Sequence, residues 1–189
     1  LWDQPTNSAG APAAQYFPDF GAGLWSADDF DTNGEWWAIE SIYVPGSLWA
    51  GSPQGDLYDA ASLNWFIYAD AGNMPPSGVY PDDGSGTEVW SLSLPPTDPA
   101  VIIGGTTNNE ATLDHVAFAG GPLVLPPGHY WLVFFPAMNF VPHGQFGWQT
   151  SGTTNLASAH FADPDGLIAP LDWTPWGVAV NPAYYDAAF

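Results

Sequence analysis

Lysine and arginine are absent from this chain of 189 residues, while aspartate and glutamate number 20, so the formal net charge is −20. Ordinary chains carry charges of both signs. The absence excludes whole classes of function. Nucleic-acid binding needs cations to displace the counterions of phosphate. Attraction to anionic lipid needs the same. A Schiff-base lysine, a P-loop lysine and an arginine clamp are ruled out. Trypsin-like proteases find no bond to cut, which suits a protein that persists outside a cell. A charge this large also repels itself unless salt screens it or divalent cations bind the carboxylates.

Cysteine is missing as well, so disulfides and thiol chemistry are excluded. No run of about 18 apolar residues occurs, and membrane insertion by a helix is not expected. The segment from Leu1 onward is polar and turn-rich. It reads as the start of a mature chain after signal-peptide removal, which would place the protein outside the cell or at its surface.

What is present is aromatic. Trp, Phe and Tyr together make up 16% of the chain, too much for a disordered one. The 21 glycines and 20 prolines are dispersed and read as turn punctuation. Helical periodicity is nearly absent, and short β-type runs recur. Strands are predicted over 14–20, 24–30, 36–44, 63–69, 87–94, 111–119, 129–135, 145–150 and 183–189. Residues 130–135 are continuously apolar, as in a central strand buried on both faces. Asn33-Gly34 is the strongest hairpin signal and suits a type I′ turn. Pro45-Gly46, Ala71-Gly72-Asn73, Pro81-Asp82-Asp83-Gly84 and Pro126-Pro127-Gly128 are further expected breaks. The stretches 45–61 and 151–182 read as long loops. The expected fold is a single all-β domain over 1–189. It is an antiparallel β-sandwich, jelly-roll-like, with about nine or ten strands in two sheets.

Seven segments carry a resemblance: LWDQPTN at 1–7, DDF at 28–30, WWAIESIYV at 36–44, WFIYADAGNMP at 65–75, LPPGHYWLVF at 125–134, GQFGWQT at 144–150 and DAAF at 186–189. In these the chain resembles secreted bacterial β-sandwich proteins of unassigned function that often carry a C-terminal sorting tail of the PEP-CTERM kind. The resemblance spans most of the chain in order. It implies a fold rather than a chemistry, since its motifs mark turns and core strands.

Asp29-Phe-Asp31-Thr-Asn33-Gly34-Glu35 followed by Glu40 matches the spacing of a calcium loop. The functional reading places Asp29, Asp31, Asn33 and the Glu35 carbonyl around Ca²⁺. The simpler reading is a β-hairpin with Asn33-Gly34 at its tip, because both flanks alternate as strands. Asp82-Asp83, Asp56 with Asp59, and Asp163-Pro164-Asp165-Gly166 are further acidic turns. His115, His129, His143 and His160 show no zinc spacing. Glu40, Glu88 and Glu110 do not pair as glycosidase carboxylates by sequence, and no G-x-S-x-G elbow occurs. No catalytic residue is named, and an enzyme is not expected.

Trp65, Trp90 and Trp131 fall inside strands and read as core. Trp49, Trp173 and Trp176 fall among turn residues and are the candidates for exposed platforms, for a sugar or for a neighbouring subunit. The favoured function is an extracellular structural protein of a surface or matrix. It would self-associate, as a homo-oligomer or filament, through strand pairing, aromatic contacts and divalent cations. The alternative is a carbohydrate-binding, lectin-like module that takes polysaccharide as partner. Calcium is the one cofactor expected.

Overall fold

The computed structural model describes residues 2–81, 83–114, 122–168 and 170–189. The chain is all-β, with its strands in several sheets that are antiparallel except for one parallel contact. The strands are β1 (Gln15–Phe17), β2 (Ala22–Asp31), β3 (Trp37–Ile39), β4 (Ser41–Trp49), β5 (Ser62–Ala69), β6 (Trp90–Leu94) and β7 (Val101–Gly104). They continue with β8 (Glu110–Asp114), β9 (Leu123–Leu125), β10 (His129–Ala137), β11 (Gln145–Trp148), β12 (His160–Ala162) and β13 (Thr174–Pro175). One sheet has the order β13-β12-β2-β1-β10-β5-β6, with β2 also paired to β10. A second runs β11-β4-β8-β7, and β3 and β9 form a separate ribbon.

The centre of the larger sheet is β2 against β10, and both are buried on both faces. Alternation sorts their side chains. Leu24, Phe30, Tyr130, Leu132 and Phe134 enter one apolar cluster, which also takes Val44, Leu113, Phe146 and Trp148 of the second sheet. Trp25, Ala27, Trp131, Val133 and Phe135 enter another, on the opposite face, where Tyr68 and Trp173 join them. This is why residues 130–135 read as an unbroken apolar run. Each large side chain so buried stabilises the fold by about 1.5–3 kcal/mol over its exposed state.

The turn at Asn33-Gly34 forms as expected. Both residues have positive φ, 54° and 77°, and the Glu35 N–H donates to the Thr32 carbonyl at 3.0 Å. The hairpin it was expected to close does not form. β2 pairs with β1, β10 and β12, whereas β3 pairs with β9, so the turn carries the chain from one sheet to the ribbon.

Pro45-Gly46 is not a break. Both residues lie inside β4, where the strand changes partner: Ser41–Pro45 pair with β8, and Gly46–Trp49 with β11. Gly46 is required there by contact. A Cβ on it would stand 2.0 Å from the Phe146 ring.

The strand expected over 183–189 is reduced to one bridge, Thr150 to Ala187. The Ala187 N–H is taken by the Asp28 carboxylate at 2.8 Å instead of a strand partner. β7, β9, β12 and β13 were not expected from the sequence, and β12 and β13 lie in the stretch read as a loop. Of the strand expected over 111–119, residues 115–119 lie outside the described residues, as do His115 and Asp82.

Candidate functional site

Asp29 is buried in β2, and its Oδ2 accepts from the Ala157 N–H at 3.0 Å and lies 2.6 Å from His129 Nε2. Asp31 accepts the Asn33 N–H at 2.5 Å, and Asn33 and Glu35 are exposed in the turn. The letters that fit a calcium loop fall at the end of β2 and in a tight turn. Among the described residues no group of three or more His, Cys, Asp or Glu is placed to hold a metal ion.

Two of the three tryptophans expected as platforms are buried. Trp173 and Trp176 are not surface platforms: they are 3% and 0% exposed. Trp173 donates its indole N–H to the Val79 carbonyl at 2.9 Å and closes the outer cluster over Trp25 and Trp131. Trp176 belongs to the central core. Proline and glycine around them mark turns, but those turns fold back onto the sheet. Trp49 is half-buried and lies over Gly147, whose place a Cβ would contest at 2.4 Å. It lines a shallow cavity of about 310 Å³ with Ser8, Gly10, Ala11, Ser47 and Gln149.

A larger cleft, about 720 Å³, opens beside the β3–β9 ribbon. Its walls come from Trp2 and Asp3, Phe30 of β2, the run Trp36 to Tyr43, Ile67 of β5, Leu132 of β10 and Phe189. Two features of the sequence build it. First, β3 alternates, so Trp37 and Ile39 turn inward while Trp36 and Ala38 turn to solvent. Second, after the Asn33-Gly34 turn the chain pairs with β9 instead of with the large sheet. Trp37 is held by near-parallel packing on Phe30, centroids 6.3 Å apart. Phe30 is fixed in turn by Tyr130 at 5.7 Å and by Phe189 at 6.3 Å. The floor is therefore a rigid aromatic surface.

The rim differs from the floor. Trp36 is 70% exposed and Tyr43 is 41% exposed. Asp3 and Glu40 are exposed beside them. The Tyr43 hydroxyl is pushed up to about 12, by burial first and then by its hydrogen bond to Glu110, so it stays neutral. The cleft thus presents indole and phenol surface, a neutral hydroxyl and two carboxylates. It offers no arranged nucleophile–base pair. Trp36 was not singled out by the sequence; its place at a turn exit beside Trp37 was the signal.

A second polar cluster lies along β2. Asp28 accepts from the Gln4 side chain and the Ala187 N–H, both at 2.8 Å. Asp186 accepts the Asn155 N–H at 2.6 Å. Burial, then Asp186 and Asp29, push the Asp28 carboxyl well above its usual range. Burial, with Asp29 adding, pushes Asp186 to about 6. Asp29 is raised by burial against the pull of Ala157 and His129. One oxygen each of Asp29 and Asp186 is buried without a hydrogen-bond partner.

In comparisons with known proteins, no family model, no curated protein and no solved structure matches the chain. No helix among the described residues is long and apolar enough to cross a membrane.

Proposed function

We propose that this is an extracellular carbohydrate-binding module, with its two larger sheets as the layers of a sandwich and the Trp36–Trp37 cleft as its binding site. The observation that carries the reading is the pairing of a fixed aromatic floor with an exposed indole at the rim, in one cleft of about 720 Å³. That volume lies in the range of small-molecule sites. Sugar rings present flat C–H faces that pack on indole, and hydroxyls that pair with carboxylates and phenols. A preformed aromatic floor loses little conformational freedom on binding. Secretion fits the resistance to trypsin-like cleavage and the resemblance drawn from the strand motifs.

The test is a glycan screen read by tryptophan fluorescence and by direct binding. A saturable response to one glycan class supports the reading, and silence across neutral, acidic and amino-sugar glycans removes it.

One observation favours self-assembly as a second reading. β6 ends its sheet, and its WSLSL sequence carries no charge and no proline. Edge strands ordinarily carry such guards against pairing with another chain. At the edge of the other sheet, Ile102 of β7 is 52% exposed. These edges suit a structural, filament-forming protein held by strand pairing, and the net charge of −20 leaves carboxylates that calcium would bridge between subunits. Electron microscopy in calcium and then in chelator distinguishes it: ordered polymers support it, and dispersed particles in both count against it.

A further inference from the structure

We infer that the ligand of the cleft is a glycan bearing free amino groups, a polymer of 2-amino-2-deoxy sugars rather than a neutral or acidic one. The inference rests on the carbohydrate reading of the cleft and narrows it.

With no lysine or arginine to pair with, the chain's carboxylates take backbone N–H donors. Asp19 accepts from Phe140 and Val141, Asp70 from Gly72 and Asn73, Asp163 from Leu167 and Ile168, and Asp172 from Gly78 and Trp173. Asp3 and Glu40 are different. They are exposed at the rim of the cleft, and neither takes a hydrogen bond from the described residues. Their charge is left for whatever enters.

Indole surface lines the same cleft. A cation over the face of tryptophan is attracted by the ring quadrupole, most strongly where water is excluded. Trp36 offers that face at the rim, and Trp2 and Trp37 line the cleft below it. An amino sugar satisfies both features at once: its ring packs on indole and its ammonium meets a carboxylate. The net charge of −20 acts in the same direction. It draws a cationic polymer toward the surface and repels uronic or sulfated ones.

The experiment is calorimetric titration with a glucosamine trisaccharide and with its N-acetylated counterpart, at about 0.15 M salt to screen diffuse attraction. Four proteins are compared: wild type, the double variant Asp3→Asn with Glu40→Gln, Trp36→Ala, and Glu88→Gln as a remote loss of charge. The inference expects the free-amine trisaccharide to bind about tenfold tighter than the acetylated one, as two exposed charge pairs supply. The double variant erases that difference, because it weakens the free-amine trisaccharide about tenfold more than the acetylated one. Trp36→Ala weakens both ligands, and Glu88→Gln weakens neither. Equal or tighter binding of the acetylated sugar overturns the inference while keeping the carbohydrate reading. So does a double variant without effect. Amine binding that survives Trp36→Ala overturns it too, since it would show attraction to bulk charge only. If neither trisaccharide nor any glycan of the screen binds, the carbohydrate reading itself falls.

Discussion

His129 Nε2 lies 2.6 Å from Asp29 Oδ2, joining β10 to β2 at the register His129–Asp31 where the two central strands begin to pair. The other ring nitrogen faces Asp70 Oδ1 at 3.5 Å, and that same oxygen accepts the Trp131 indole N–H at 2.8 Å. One imidazole of β10 therefore serves two acids, one in β2 and one just after β5, in a chain that has no lysine or arginine. Burial raises Asp70, but the bonds from Trp131, Asn73 and Gly72 outweigh it and hold its carboxyl below the usual range.

His129→Ala leaves the fully buried Asp29 with the Ala157 N–H as its remaining donor. Loss of a hydrogen bond to a charged group costs about 1.5–3 kcal/mol. The urea midpoint should fall by the corresponding amount with an unchanged slope. A variant as stable as wild type would show that this bond does not hold β2 to β10.

Asp186 gives the chain an unusual pH response. Its folded pKa, about 6, stands above the ordinary 3.8. Between these values the native state binds more protons than the unfolded one, so stability falls as pH rises. Asp28, raised for related reasons, adds in the same direction. His160 opposes them: burial lowers it, so its share of stability is lost as pH falls below the usual histidine value. Comparison with Asp186→Asn cancels the histidine. Melting temperatures should show wild type losing stability relative to the variant as pH rises from about 4 to about 7. A constant difference across that range would contradict the assignment.

Gly46→Ala forces a Cβ to within 2.0 Å of the buried Phe146 ring in the central core. Overpacking of this kind costs about 1–3 kcal/mol. Thermal unfolding reads it directly, and Phe146→Leu in the same chain should recover part of the loss by making room. No loss on Gly46→Ala would mean that β4 has slack at its change of partner.

How much was legible follows from what each signal reports. Asn33-Gly34 announced its turn because positive φ is a local property of those residues. Its strand partners were not local, and the hairpin inference failed. The run at 130–135 announced a doubly buried strand because alternation vanishes when both faces are covered. Pro45-Gly46 misled: proline and glycine usually punctuate, but here one sits at a change of partner and the other clears space for Phe146. Trp173 and Trp176 misled in the same way, since turn residues around an aromatic say nothing of whether the turn folds inward. Trp36 was the reverse case, an exposed indole inside a strand-like run. β7 and β12 were missed as four and three residues long, too short for alternation to register.

Ser93 lies exposed on β6 opposite Asn64. Ser93→Lys places a charge on the unguarded edge, which is how natural sheets resist pairing with other chains. If the protein assembles through that edge, the variant should remain dispersed under the microscope where wild type forms polymers. Polymers of undiminished length would move the contact elsewhere.

The central claim is that the cleft beside the ribbon binds carbohydrate through Trp36. The direct measurement is calorimetric affinity for the glycan found in the screen, with Trp36→Ala and Trp49→Ala side by side. Trp36 is 70% exposed, so its truncation should leave the melting temperature within a degree or two of wild type while reducing affinity at least tenfold. Trp49→Ala should leave affinity unchanged. Full affinity in Trp36→Ala, or its loss in Trp49→Ala alone, would contradict the account and shift the site to the shallow cavity over Gly147.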